Sequence, residues 1–125
     1  MSFKRASILL MAAAMMSGLL SCSTGPASAQ TVEVFRNSGL KQCDDEKPAP
    51  AAFAKLLEEN GVKVRASACA SDGSMRPQVC GLDRGLLYVY EIDAGGLSKA
   101  ISLGFTDAKR ISGNPGYRKF ACEAA

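Results

Sequence analysis

Histidine and tryptophan are absent from this chain of 125 residues, and no Cys-x-x-Cys spacing occurs anywhere in it. The lack of histidine removes the base that a serine or cysteine nucleophile ordinarily needs. A zinc site would have to recruit four scattered thiolates. No two carboxylates fall into a recognisable acid–base motif, so the sequence offers no catalytic residues and calls for no cofactor or metal. Strong charge of one sign is missing too. The formal net charge is +3, and it drops to about +1 once Lys4 and Arg5 are set aside as part of an amino-terminal signal. Apart from Lys109-Arg110 and Arg118-Lys119 the basic residues are scattered, which argues against nucleic acid as a partner.

The apolar run from Ile8 to Leu20, broken only by Ser17 and Gly18, is shorter than the roughly 20 residues of a membrane span. Behind Lys4 and Arg5 it has the form of an export signal. Two processing sites compete. Leu19-Leu20-Ser21-Cys22 resembles the bacterial lipobox, which would make residues 1–21 the signal peptide and Cys22 a lipidated amino terminus. Ala27-Ser28-Ala29 is an A-x-A site that would instead remove residues 1–29 and release a soluble periplasmic or secreted protein. Position favours the first, because Cys22 follows the apolar run directly, although Leu20 stands where a smaller residue is more usual. Residues 22–30 then form a Ser/Gly/Pro/Ala linker, and residues 31–125 a single α+β domain of modest core.

With Cys22 removed or lipidated, four cysteines remain: Cys43, Cys69, Cys80 and Cys122. An even number in a small exported chain predicts two disulfides. Three pairings are open, and Cys69–Cys80 with Cys43–Cys122 is the expected one. Cys69 ends one strand of a predicted hairpin and Cys80 precedes the other, so a staple there needs little displacement.

Residues 31–36 alternate as a first strand whose Val32, Val34 and Phe35 cover both faces. Pro50 suits the first turn of a helix with Phe53, Leu56 and Leu57 on one side. Asn60-Gly61 stops that helix, and Val62 folds back onto Leu57. Residues 62–68 alternate again, with valine and alanine on one face. The turn-rich segment 71–77 leads to the densest β-former, residues 86–92, in which Tyr88 and Tyr90 pack beneath a helix with Leu86 and Ile92. Asp93 is a candidate N-cap for a short helix over residues 94–103, its buried stripe Leu97, Ala100 and Ile101. Phe105 drops into the core, and residues 117–122 form a last edge strand. The order is β-α-β-β-α-β, the ferredoxin-like split βαβ pattern, here a small two-layer sandwich stapled by disulfides.

Two resemblances accompany this reading. Cys80-Gly81, the strand Gly85-Leu86-Leu87-Tyr88-Val89-Tyr90-Glu91-Ile92 and Leu103-Gly104-Phe105 resemble small bacterial exported proteins and lipoproteins. That resemblance implies an envelope location, and it brings no activity with it. In such lipoproteins Ser23 after the cysteine points to the outer membrane. The run from Val32 through Cys43 to Val64 resembles the opening βαβ of thioredoxin- and glutaredoxin-like proteins, and Arg76-Pro77-Gln78-Val79 their proline-before-strand element. It implies a reactive Cys43, although Cys43 lies well ahead of Pro50 and beside Asp44, Asp45 and Glu46. Those three acids could hold calcium, but they match no calcium loop and read first as a solvated one. The leading expectation is a non-enzymatic cell-envelope protein, a small binding or structural module for another envelope component, held to the membrane through Cys22. The alternative is a thiol redox protein using Cys43.

Overall fold

The structure is a computed structural model and describes residues 30–124. The signal segment, both processing sites, Cys22 and nearly all of the linker lie outside the described residues. Strand β1 (Thr31–Asn37) leads to helix α1 (Ala51–Glu59), and strands β2 (Val64–Asp72) and β3 (Leu86–Asp93) follow. A 3₁₀ turn, Ala94–Gly96, runs into helix α2 (Leu97–Ser102). Strands β4 (Thr106–Asp107) and β5 (Tyr117–Phe120) complete the described chain. Their pairing builds one antiparallel sheet in the order β4-β1-β3-β2-β5. This is the split βαβ arrangement, with β3 inserted between β1 and β2, plus one further edge strand. No helix among the described residues is long and apolar enough to cross a membrane.

The fourth strand of the pattern is not the one expected. On the outer side of β1 only Thr106 and Asp107 pair, while residues 117–120 pair with β2 at the opposite edge. The segment between them therefore crosses the sheet on the face away from the helices, where Ile111 packs on Ala70, Leu87 and Val89 with Phe35 and Tyr117. That crossing brings Gly116 so close to Gly73 that a Cβ on Gly73 would lie 2.5 Å from the Gly116 carbonyl carbon. Both turns need glycine.

The helix face holds the larger core. Val34, Leu57, Val62, Cys69, Tyr88, Tyr90, Ile92, Ala100 and Phe105 are all buried there. Alternation along β1 explains Phe35, which turns to the crossing segment while Val34 turns to the helices. In β2 the expected single valine/alanine face is broken by a bulge between Val64 and Ala66. One extra residue flips the side-chain phase, so Val64 and Cys69 both reach the helix-face core while Ala70 joins the other. Helix α1 stops as expected: Gly61 has φ +80°, and Val62 N–H donates to Leu57 O at 3.0 Å.

Helix α2 is shorter than the predicted 94–103. Asp93 has the extended backbone of an N-cap but makes no capping bond. Its carboxylate is taken by Arg65, whose Nε donates at 2.8 Å. Gly95 and Gly96 leave only a 3₁₀ turn before Leu97. Ile101, expected in the buried stripe, is 51% exposed, because Ala100 occupies the sheet-facing position of so short a helix. Arg36 sits half-buried on the helix face, its guanidinium carbon 4.5 Å from the Phe53 ring centre and 5.7 Å from that of Phe105.

Candidate interaction surface

The disulfides are Cys43–Cys80 and Cys69–Cys122, with Cα atoms 5.1 and 4.9 Å apart. This overturns the expected pairing of Cys69 with Cys80 and of Cys43 with Cys122. The sequence-based argument assumed that Cys69 and Cys80 flank the neck of a tight hairpin. In fact Cys69 lies mid-strand on the buried helix face, opposite Phe120 of β5, which delivers Cys122 two residues later. Cys80 stands far out on the β2–β3 connection, and that connection folds away from its own hairpin.

The connection folds onto the loop that joins β1 to α1. Gln42 is the bracket between them. Its backbone N–H donates to Leu82 O at 2.8 Å and its carbonyl accepts from Gly81 N–H at 3.1 Å. Its side-chain amide donates to Pro77 O at 3.1 Å and accepts from Val79 N–H at 3.0 Å. Arg84 reaches back to Asp44 O at 2.7 Å, Arg84 N–H donates to Leu40 O, and Lys41 forms a β-bridge with Asp83. Asn37 closes the base by donating to the Asp83 carboxylate at 2.7 Å. Cys43–Cys80 then crosslinks the two loops covalently.

Arg76 fixes the outer arm of this double loop. Its guanidinium lies over Gly85, where any side chain would collide with it, and pairs in a two-point contact with Asp72. The Arg76 guanidinium holds the Asp72 carboxyl below its usual range, despite partial burial that pushes the other way. Asp72 also accepts from Ser74 N–H at 2.9 Å, so the Asp72-Gly73 turn is built around an ion pair.

From this braced frame three apolar side chains point to solvent. Met75 is fully exposed, Val79 is 52% exposed and Leu82 40%. A loop already held rigid loses little backbone entropy when a partner covers the side chains it carries. A cleft of about 440 Å³ opens beside them, lined by Gln42, Cys43, Ser74, Arg76, Gln78 and Arg84. A second cleft of about 400 Å³ lies below the loop, between Lys47, Pro48, Pro50 and the Cys122-Glu123 end of the chain.

The other candidate residues have different placements. Cys43 is exposed and bonded to Cys80 rather than free. Helix α1 begins only at Ala51, well along the chain from it. Segment 76–80 lies against Cys43 through the disulfide and the Gln42 bracket. Asp44, Asp45 and Glu46 are all exposed, and no cluster of three potential metal ligands forms among the described residues. Tyr88 and Tyr90 are buried beneath α1, as expected. Tyr90 OH donates to Pro50 O at 2.6 Å and Tyr88 OH accepts from Ala49 N–H at 2.9 Å, so the pair clamps the helix start. Burial pushes the Tyr90 hydroxyl well above the ordinary tyrosine range.

Sequence reasoning missed Gln42, Met75, Val79 and Leu82. The available signal was weak: three apolar residues in a stretch otherwise made of turn formers, with no period to place them on an element. Neither a family model, nor a curated protein, nor a solved structure matches the chain.

Proposed function

We propose that this protein is a non-enzymatic module of the bacterial cell envelope that binds another envelope component through the braced double loop. Two disulfides indicate an oxidising compartment and hence export. What supports binding, above all, is the exposure of Met75, Val79 and Leu82 on loops held by a disulfide, an ion pair and the Gln42 bracket. Rigid scaffolds with exposed loop residues are where recognition concentrates. The chemistry fits the same reading. The described site residues supply hydrogen-bonding groups, charge and apolar contacts, but no nucleophile paired with a base.

On this reading Cys22 carries lipid, and residues 23–30 tether the domain to the outer membrane in the manner of the lipoproteins it resembles. A mass spectrum of the exported protein showing diacylated Cys22 is expected, and an unmodified terminus at Gln30 would exclude the anchor. The binding claim is tested by photoreactive residues placed at Met75, Val79 and, as a control on the far side of α1, Glu58. Discrete crosslinked species from positions 75 and 79 but not from 58 are the expected result. Equal crosslinking from all three, or none from any, would reject the surface. The rival reading, a redox protein with a free and fast-reacting Cys43, predicts one accessible thiol on the non-reduced exported protein, where the binding reading predicts none.

A further inference from the structure

The two disulfides sit in opposite settings. Cys69 is fully buried in the helix-face core, and its partner Cys122 packs against that core. Cys43 and Cys80 are both exposed, at the outer end of two loops and beside an open cleft. Thiol–disulfide exchange needs a thiolate to reach a sulfur. The outer pair is the more open to that approach, because both of its cysteines are exposed, whereas Cys69 is buried and only the half-buried Cys122 borders a cleft.

The backbone adds a second difference. Cys43 has φ +70° and is the sole non-glycine residue in the left-handed region among the described residues. That conformation is strained for an L-residue that carries a Cβ, and it persists because the bridge and the Gln42 bonds over-determine it. Opening the bridge lets Cys43 relax, which favours the reduced form. The sheet does not depend on this bridge, because β3 pairs with β1 along its length and with most of β2, and β5 is pinned by Cys69–Cys122.

We propose that Cys43–Cys80 is a thiol–disulfide exchange site whose substrate is a dithiol, and that its opening loosens the loop surface while the sheet stays folded. One thiolate of the dithiol attacks one sulfur of the bridge and forms a mixed disulfide. The other cysteine leaves as a thiolate and takes up a proton. The second thiol of the dithiol then attacks its own sulfur in the mixed disulfide and expels the remaining cysteine thiolate, which is protonated in turn. Two electrons and two protons pass to Cys43 and Cys80, and the dithiol becomes a disulfide. The effect on the surface rests on the binding role proposed for it above; the exchange itself does not.

The test is a titration of the native protein with dithiothreitol, quenched with acid and followed by alkylation and peptide mapping. Cys43 and Cys80 are expected to be alkylated at a dithiothreitol concentration at least tenfold below that which opens Cys69–Cys122, with the far-ultraviolet circular dichroism unchanged. Simultaneous opening of both bridges, or earlier opening of Cys69–Cys122, would overturn the exchange site. The second arm compares crosslinking from positions 75 and 79 in the oxidised protein and in a folded Cys43→Ala/Cys80→Ala variant. A fall of several-fold in the variant supports the control of binding, and equal crosslinking in both overturns it. Absence of crosslinks even in the oxidised protein would instead defeat the binding surface, leaving the exchange site to stand or fall on the titration.

Discussion

Removing each disulfide in turn separates what loop closure contributes from what packing contributes. The bridges span 37 residues for Cys43–Cys80 and 53 for Cys69–Cys122. In the chain-entropy treatment both are worth about 4 kcal/mol, differing by only a few tenths. Entropy alone would therefore make the two double-alanine variants melt together. Burial says otherwise. Cys69 is fully buried among Tyr88, Phe120 and Cys122, so Cys69→Ala/Cys122→Ala also deletes core sulfur atoms and frees the end of β5. Loss of buried volume on this scale costs about 1–2 kcal/mol more. The exposed pair loses no core volume, and release of Cys43 from φ +70° returns about 1 kcal/mol. The expected gap is about 2–3 kcal/mol, or on the order of 10 °C in Tm for a domain this size. In a domain of about 5–10 kcal/mol total stability, the Cys69/Cys122 variant keeps little margin. Thermal melts by circular dichroism of both variants, with coincident near- and far-ultraviolet transitions, measure the gap. Equal melting temperatures, or a lower one for Cys43→Ala/Cys80→Ala, would refute the burial argument.

Other substitutions probe single contacts. Tyr90→Phe should cost about 1–2 kcal/mol in urea unfolding, because the buried hydroxyl donates to Pro50 O. Tyr117→Phe should be neutral or stabilising by up to about 1 kcal/mol, because the Tyr117 hydroxyl is buried with no hydrogen-bond partner. Gly73→Ala should destabilise the fold sharply in urea unfolding, by more than about 3 kcal/mol, since φ is +77° and the new Cβ would meet the Gly116 backbone. Gly113→Ala, with open space around it, should change stability by no more than about 0.5 kcal/mol in the same assay. Because Arg76 depresses the Asp72 carboxyl, the ion pair stabilises the fold above the unfolded aspartate value of about 3.9 and is lost as pH falls through the lower folded value. Urea midpoints between pH 2 and 5 should therefore fall less steeply in Asp72→Asn than in the parent.

Much of the fold was legible in the sequence because its signals are local. Strand β1, helix α1 with its Gly61 stop, β3 and the placing of Tyr88, Tyr90 and Phe105 follow from period and composition. Strand β4 escaped because two residues, Thr106 and Asp107, carry no period. The bulge in β2 escaped because Val62, Val64, Ala66 and Ala68 alternate perfectly on paper, while the backbone inserts one residue between Val64 and Ala66. The disulfide pairing was misread for a related reason. Sequence proximity put Cys69 and Cys80 together, but the side-chain direction of Cys69 is set by that bulge. The partner of Cys80 is set by the fold of residues 73–85 onto Gln42, a contact between two loops with no shared pattern. For the same reason, the exposure of Met75, Val79 and Leu82 became visible only when the loops were seen to brace each other.

The most direct test of this account is the disulfide map of the non-reduced exported protein. Cysteines 69 and 80 are parted by Met75, so cleavage there, combined with cleavage between Cys43 and Cys69 and between Cys80 and Cys122, puts each cysteine on its own peptide. The account predicts Cys43 joined to Cys80 and Cys69 joined to Cys122, with no free thiol among the four. Finding Cys69 joined to Cys80 would undo the braced double loop and the surface built on it, and a free Cys43 would remove both the brace and the exchange site proposed for Cys43–Cys80.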